Sequence, residues 1–163
     1  MRFCENNNIS SAFVPVDLQT GANDGDWVSL KNYHHVAIVF FKALGTAGDD
    51  PTLTVEQATT NTGTGAKALN FRNIYVKQGA LLTAVGIFTR VDQAAANTYT
   101  DLVSAEAQAI WVVELDSDEL DVDGGFDHIR GRVADVGGNA QLGAMLYILS
   151  EARFAQAVVP SAL

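Results

Sequence analysis

The sequence predicts an all-β protein: a single antiparallel β-sandwich, jelly-roll-like, with extended N- and C-terminal arms. Apolar and polar residues alternate with a period of two through much of the chain, which is the pattern of half-buried strands. The predicted strands recur about every 10 to 20 residues, which leaves little room for the helical crossovers that parallel strands require. Turn residues separate them, as in the Gly-Asp-Asp-Pro sequence at 48–51 and the Gly-Gly-Asn sequence at 137–139.

Eight segments combine this alternation with β-branched and aromatic residues. The predicted strands are residues 27–31, 36–41, 52–57, 68–77, 87–91, 107–115, 126–133 and 142–149. In residues 107–115, the odd positions from Ala107 to Leu115 form one apolar face. Ile110 and Val112 on the other face are also apolar, so this strand is predicted to lie centrally in a sheet. Residues 92–97 contain a run of Ala and are interpreted as one helical turn or a loop, and the Thr/Gly-rich residues 59–65 as a surface loop.

The domain organisation follows from size and uniform composition. A chain of 163 residues is long enough for one well-buried core, and no change in composition marks a boundary. Residues 1–163 are therefore predicted to form one domain, with residues 1–12 as an N-terminal arm and residues 155–163 as a C-terminal arm. The start of the chain lacks the apolar core of a secretory signal, and the longest apolar run, residues 36–41, is far shorter than a membrane span.

The charge of the chain excludes some partners. Ten basic and nineteen acidic residues give a net charge of −9, and residues 101–127 contain nine acidic residues and no basic one. Such a surface repels phosphate groups, so direct binding to nucleic acid and to anionic membranes is disfavoured.

The most acidic stretch, residues 116–127, raises the question of a metal site. Its candidate ligands are Asp116, Asp118, Asp121 and Asp123. An EF-hand loop that begins at Glu119 would need a carboxylate at its twelfth position, where the chain has Arg130. The Asp123-Gly124 pair is a turn signal, and the favoured interpretation is a charged connection between strands. No metal ion or cofactor is expected.

The sequence also indicates that the protein is not an enzyme. The neighbouring His34 and His35 point to opposite faces of a strand, and no zinc-binding motif includes them or His128. A nucleophile elbow of the form G-x-S-x-G is missing, and residues 63–68 lack the spacing of a phosphate-binding loop. Seven aromatic residues could form a sugar-stacking platform, but core packing is the expected use of most of them because each lies in an apolar alternation. They are Trp27, Phe40, Phe71, Tyr75, Trp111, Phe126 and Tyr147.

Four stretches, residues 17–33, 48–58, 66–71 and 120–126, resemble small structural head proteins of tailed double-stranded DNA bacteriophages. The similar part of the chain extends from Asp17 to Phe154. The resemblance implies a virion component, above all a capsid decoration (cement) protein on the exterior of the head, made in the bacterial cytoplasm. It implies the major capsid protein as a partner and self-association as a homotrimer.

The arms would supply the contacts with these neighbours. The candidate interface residues are Arg2, Phe3, Phe154, Val158, Val159 and Leu163. Two other roles remain open from the sequence: a phage connector, tail or head-completion component, and a sandwich that binds carbohydrate or a receptor. The last of these predicts exposed coplanar aromatic rings or a calcium ion near residues 116–127.

Overall fold

The computed structural model describes residues 3–82, 86–154 and 162, and these form two packed antiparallel β-sheets. The strands are β1 (Asn8–Asp17), β2 (Asn23–Asp24), β3 (Val28–Ser29), β4 (Tyr33–Lys42), β5 (Thr52–Ala58), β6 (Lys67–Ala68), β7 (Phe71–Gly79), β8 (Thr89–Ala96), β9 (Thr98–Thr100), β10 (Gln108–Asp116), β11 (His128–Val133) and β12 (Leu142–Ala152). Sheet A has the order β1-β12-β4-β10-β7-β8. Sheet B has the order β2-β11-β5-β6, with β3 also paired to β11 and β9 to β5.

The core lies between the two sheets because one face of each strand is apolar. Alternate residues of β4, such as Ile38 and Phe40, are fully buried, as is Trp111 of β10. From sheet B, Val55 and Ile129 meet them in the same cluster. The prediction of an antiparallel all-β sandwich is therefore confirmed, and the finer expectation of a jelly roll stays a prediction.

The strand predictions from long alternating segments are confirmed. The segment around Trp111 is β10, and it lies between β4 and β7 in the interior of sheet A, as its two apolar faces predicted. Residues 59–65 form a turn-rich loop between β5 and β6. The interpretation of residues 92–97 as a helical turn or loop is wrong, because residues 92–96 belong to β8. There Asp92 pairs with Asn73 and Ala96 with Phe71, so hydrogen bonding to β7 overrides the helical preference of the Ala run.

The N-terminal segment differs from the predicted arm. Residues Phe3–Asn6 form a single helical turn, α1, and β1 begins at Asn8 and pairs along its length with β12. Residues 8–12 are therefore part of an edge strand of the domain's own sheet, held by backbone hydrogen bonds and by the burial of Ala12. Of the predicted C-terminal arm, residues 155–161 and 163 lie outside the described residues. Ala162 is buried, and its carbonyl oxygen accepts a hydrogen bond from the backbone N–H of Ser29 at 2.8 Å.

None of the helices in the described part of the chain has the length and apolar character needed to cross a bilayer.

Candidate protein-interaction surface

The acidic residues 116–127 form a turn that is held by the chain itself. The backbone N–H of Asp121 donates to Oε1 of Gln57 at 2.8 Å, and Oδ1 of Asp121 accepts from the N–H of Gly124 at 3.0 Å. Lys67 donates to the other carboxylate oxygen of Asp121, and this hydrogen bond, with the one from Gly124, holds the pKa of the Asp121 carboxyl below its usual value. Of the candidate metal ligands, Asp121 is thus already paired with a cation.

The other three candidate ligands, Asp116, Asp118 and Asp123, are exposed. The described residues contain no group of three or more His, Cys, Asp or Glu side chains placed to hold a metal ion. His128 Nδ1 lies 2.5 Å from Oδ1 of Asp127, its neighbour in the chain. Asp116 and Asp118 line an open surface depression with His34 and Arg153, where Arg153 donates to the Ser117 hydroxyl. The structure therefore does not bring the four candidate ligands together in one site.

The outward face of sheet B is polar and its charges are paired. Arg130 Nε lies 2.7 Å from a carboxylate oxygen of Glu56 on the adjacent strand, and Arg132 Nε lies 2.8 Å from one of Asp24. The Arg130 guanidinium stacks on the Trp27 ring at 4.8 Å from its centroid. The loop at Gly63 packs against the same indole so closely that a Cβ at position 63 would lie 2.6 Å from Nε1. Trp27 is therefore covered and does not form an open stacking platform.

The other predicted aromatic residues lie mainly in the core. Trp111, Phe40, Phe71 and Tyr147 are buried, which confirms core packing for them. The Phe40 and Trp111 rings lie 5.5 Å apart, and the Tyr99 ring meets Trp111 edge-on at 4.9 Å. Phe126 is half-buried beneath Lys67, whose Nζ lies 3.9 Å from the ring centroid.

The outward face of sheet A is apolar, in contrast to that of sheet B. We call it the apolar face, and it extends over five adjacent strands. Its residues are Ile9 of β1, Leu142, Ala144, Leu146 and Ile148 of β12, Ala37, Val39 and Phe41 of β4, Ile110 and Val112 of β10, and Tyr75 of β7. Phe41 is 53% exposed, Ile9 50% and Leu146 42%. These values are high for large apolar side chains within the strands of a sheet.

The register of the strands arranges the apolar face in three rows. The central row is Leu146, Val39, Val112 and Tyr75; the lower row is Ala144, Phe41, Ile110 and Lys77; and the upper row is Ile9, Ile148, Ala37 and Glu114. Above the upper row the surface becomes polar, where His35 Nδ1 lies 2.9 Å from the Ser150 hydroxyl. Each row therefore crosses the sheet as a line of cross-strand neighbours.

The size of the apolar face can be estimated from sheet geometry. Three rows about 7 Å apart, each of four residues on strands about 4.8 Å apart, cover roughly 400 Å². Contiguous apolar patches beyond a few hundred Å² are uncommon on monomeric proteins and mark interaction sites. Charged residues end all three rows, namely Glu114, Lys77 and, next to Tyr75 on β8, Arg90. The centre of the face is apolar and suits contact with another apolar surface.

Of the predicted interface residues, the structure describes only Phe3 and Phe154, neither of which belongs to the apolar face. Phe3 and Phe154 are 53% and 62% exposed, and Arg2, Val158, Val159 and Leu163 lie outside the described residues. The apolar face was not predicted as a site, although the sequence contains a signal for it. The runs at residues 36–41 and 109–113 are apolar on both faces of their strands, which is typical either of a doubly buried strand or of a surface that another molecule covers.

A search of protein-family models found none that matches the chain, and a search of curated proteins found no match either. The fold and its two outer faces define the class of the protein. It is a β-sandwich with one charged outer face and one apolar outer face.

Proposed function

We propose that the protein is a structural component of a bacteriophage virion, a capsid decoration protein that binds the outside of the head and stabilises the shell. The observation that carries this proposal is the apolar face of sheet A. A sandwich needs one apolar side of each sheet for its own core, and a second apolar side is useful only when another protein covers it. The resemblance of the sequence to phage head proteins supports the major capsid protein of the shell as the protein that covers this face.

Other features agree with a purely structural role. A disulfide-free β domain folds in a bacterial cytoplasm, and the net charge of −9 keeps the free protein soluble at high concentration. The charged residues on the outer face of sheet B are paired with one another, which suits a surface that faces solvent. The role requires neither a catalytic residue nor a cofactor.

The test uses preformed phage heads that lack their decoration protein. Purified protein is mixed with the heads, unbound protein is removed by sedimentation, and the bound copies are counted by quantitative gel analysis. We expect saturable binding at a copy number that is a fixed multiple of the capsid lattice sites, together with a higher temperature of shell disruption. An excess of protein that leaves both the sedimented copy number and the disruption temperature unchanged would overturn the proposal. A copy number of about one ring per head would instead indicate a connector or tail component.

A further inference from the structure

The lower row of the apolar face contains a depression beside Ala144 on β12. We call it the Ala144 pocket; it is lined by the small side chain of Ala144 and by the larger Phe41, Leu142 and Pro15, and its volume is about 200 Å³. Phe41 lies directly opposite Ala144 on β4. Since Phe41 is 53% exposed and Leu142 is 58% exposed, large apolar side chains border a space that the described part of the chain leaves open.

The pocket exists because β1 is irregular beside Ala144. The register of β1 and β12 shifts after Phe13, so that residues 14 and 15 of β1 lie opposite the single residue Ala144. Such a bulge bends the strand, and Pro15 has no N–H to donate to β12. The bulge replaces the regular cross-strand neighbour that Ala144 would otherwise have on β1, and the space beside its methyl group stays open.

The volume of the pocket selects the kind of occupant. Pockets for drug-sized ligands and cofactors usually enclose about 300–1,000 Å³, and one water molecule takes about 30 Å³ of liquid volume. A space of about 200 Å³ is too small for most such ligands and much larger than a single water molecule. It fits one side chain of the size of Leu or Phe.

The two polar side chains at the pocket already have partners in the chain. The Lys42 ammonium donates to the carbonyl oxygens of Ala107 and Ala43. Oε1 of Gln108 accepts from the backbone N–H of Leu82 at 2.8 Å. A polar or charged group buried here would lose water without an equivalent hydrogen bond in return, so the pocket favours an apolar occupant.

From the size and lining of the Ala144 pocket, we infer that it receives one large apolar side chain, such as Leu or Phe, from the protein that covers the apolar face. The inference rests on the proposed function, and it names the contact by which the major capsid protein is held. A few anchor residues that fill pockets contribute most of the affinity of protein interfaces. The apolar face, at roughly 400 Å², is about half of the area that each partner buries in a standard interface, so its affinity depends strongly on such an anchor.

The test fills the pocket from within the chain. Ala144→Leu adds apolar area to the face but occupies the space that the partner's side chain needs. Its dissociation constant from preformed phage heads, measured by sedimentation over a range of free protein concentrations, should rise about tenfold or more. The matched substitution Ala37→Leu adds the same area in the upper row, outside the pocket, and should change this constant by less than about threefold. Equal losses in the two variants, or unchanged binding of Ala144→Leu, would overturn the inference.

A second measurement does not depend on phage heads. N-acetyl-phenylalanine amide is titrated into the ¹⁵N-labelled full chain, and the backbone amide shifts are followed by NMR. We expect binding in the millimolar range, as is usual for a ligand of this size, with shift changes around Ala144 that disappear in Ala144→Leu. Shift changes confined to other surfaces, or none up to the solubility limit of the probe, would contradict an apolar side-chain pocket.

The two measurements separate this inference from the proposed function. A chain that binds the probe at Ala144 but fails to bind heads would overturn the decoration role and leave the pocket as a site for an apolar side chain. Heads that bind the original chain and Ala144→Leu equally would overturn the pocket alone. An oligomer of the free protein that Ala144→Leu dissociates would assign the pocket to a second copy and overturn its assignment to the shell. Thermal melting of both variants reports on folding, and the probe titration of the original chain needs no substitution.

Discussion

Tyr147 of β12 and Gly131 of β11 join the two sheets of the sandwich through one hydrogen bond. The backbone N–H of Gly131 donates to the Tyr147 hydroxyl at 2.9 Å, and that hydroxyl donates to the backbone carbonyl of Asp26 at 2.9 Å. The sheets approach so closely here that a Cβ on residue 131 would lie 2.5 Å from Sδ of Met145. Burial raises the pKa of the Tyr147 hydroxyl well above its usual value, so the group stays protonated and remains a donor.

Tyr147→Phe removes this connection and leaves the core otherwise unchanged. The buried N–H of Gly131 would then lack its acceptor, and the free energy of unfolding should fall by about 1–3 kcal/mol. Chemical denaturation followed by Trp fluorescence measures the change. Tyr75→Phe, a half-exposed tyrosine on the apolar face, is the matched control and should change stability by less than about 0.5 kcal/mol. Equal effects of the two substitutions would show that the hydrogen bond to Gly131 contributes little.

The elements that sequence analysis predicted well are those in which alternation and burial coincide. In β10, and in β4 from Val36 onward, every second residue is buried, so the period of two is visible in the sequence itself. The segment that became β1 and residues 92–96 of β8 lack that signal, since β1 contains two register shifts and Pro15, and β8 is largely exposed with a run of Ala. Residues 89–91 of β8 lie in the predicted strand at 87–91. Pro is tolerated in β1 because it is an edge strand. β1 forms because it pairs with β12 near the other end of the chain, and β8 forms because it pairs with the preceding strand β7. The local sequence pattern does not show such pairing.

The sequence indicated one strand of the apolar face but not the neighbouring strands that complete it. Ile110 and Val112 predicted that the second face of β10 is apolar, which the structure confirms, but the sequence does not specify what lies next to them. Only the register shows that Val112 adjoins Val39 and Tyr75 and so continues a row across the sheet. The unusual composition of residues 116–127 made them the more evident candidate site in the sequence. The structure uses them in a turn fixed by Gln57 and Lys67.

Lys42 is a buried cation, and its burial predicts how stability depends on pH. Its side chain is 1% exposed, and Nζ donates to the carbonyl oxygens of Ala107 at 2.7 Å and Ala43 at 3.1 Å. Burial lowers the pKa of the Lys42 ammonium from 10.5 to about 8, although the negative charges of Asp50 and Glu106 oppose the shift. Between these two values the unfolded chain binds more protons than the folded one. The contribution of Lys42 to stability therefore increases as the pH rises through this window.

The variant Lys42→Met isolates that contribution, because all other titrating groups are common to both proteins. From pH 7.5 to pH 10, the unfolding free energy of the original protein should rise relative to that of the variant by on the order of 2 kcal/mol. Denaturant titrations at several pH values measure the difference. Lys31→Met, at an exposed position, controls for the loss of one positive charge. A difference between the original and Lys42→Met that stays constant with pH would contradict a lowered pKa for Lys42.

Gln141 is the least well accommodated polar side chain in the described part of the chain. It is 1% exposed, its amide packs against Gly45, and neither its Nε2 nor its Oε1 has a hydrogen-bond partner among the described residues. A buried amide without partners costs about 1–3 kcal/mol relative to a satisfied one. Gln141→Met keeps the length of the side chain, and its thioether needs no hydrogen bond. We therefore expect the free energy of unfolding to rise by about 1 kcal/mol.

The matched control for Gln141 is Gln57, which is also buried but fully paired. Its Nε2 donates to the carbonyl oxygen of Ala68 at 3.2 Å, and its Oε1 accepts from the N–H of Asp121 at 2.8 Å. Gln57→Met breaks both bonds and should lower stability by about 1–3 kcal/mol. Thermal and chemical denaturation of the two variants under the same conditions would give shifts of opposite sign. A loss of stability in Gln141→Met as large as that in Gln57→Met would mean that the Gln141 amide is paired in solution, with the packing against Gly45 arranged around that partner.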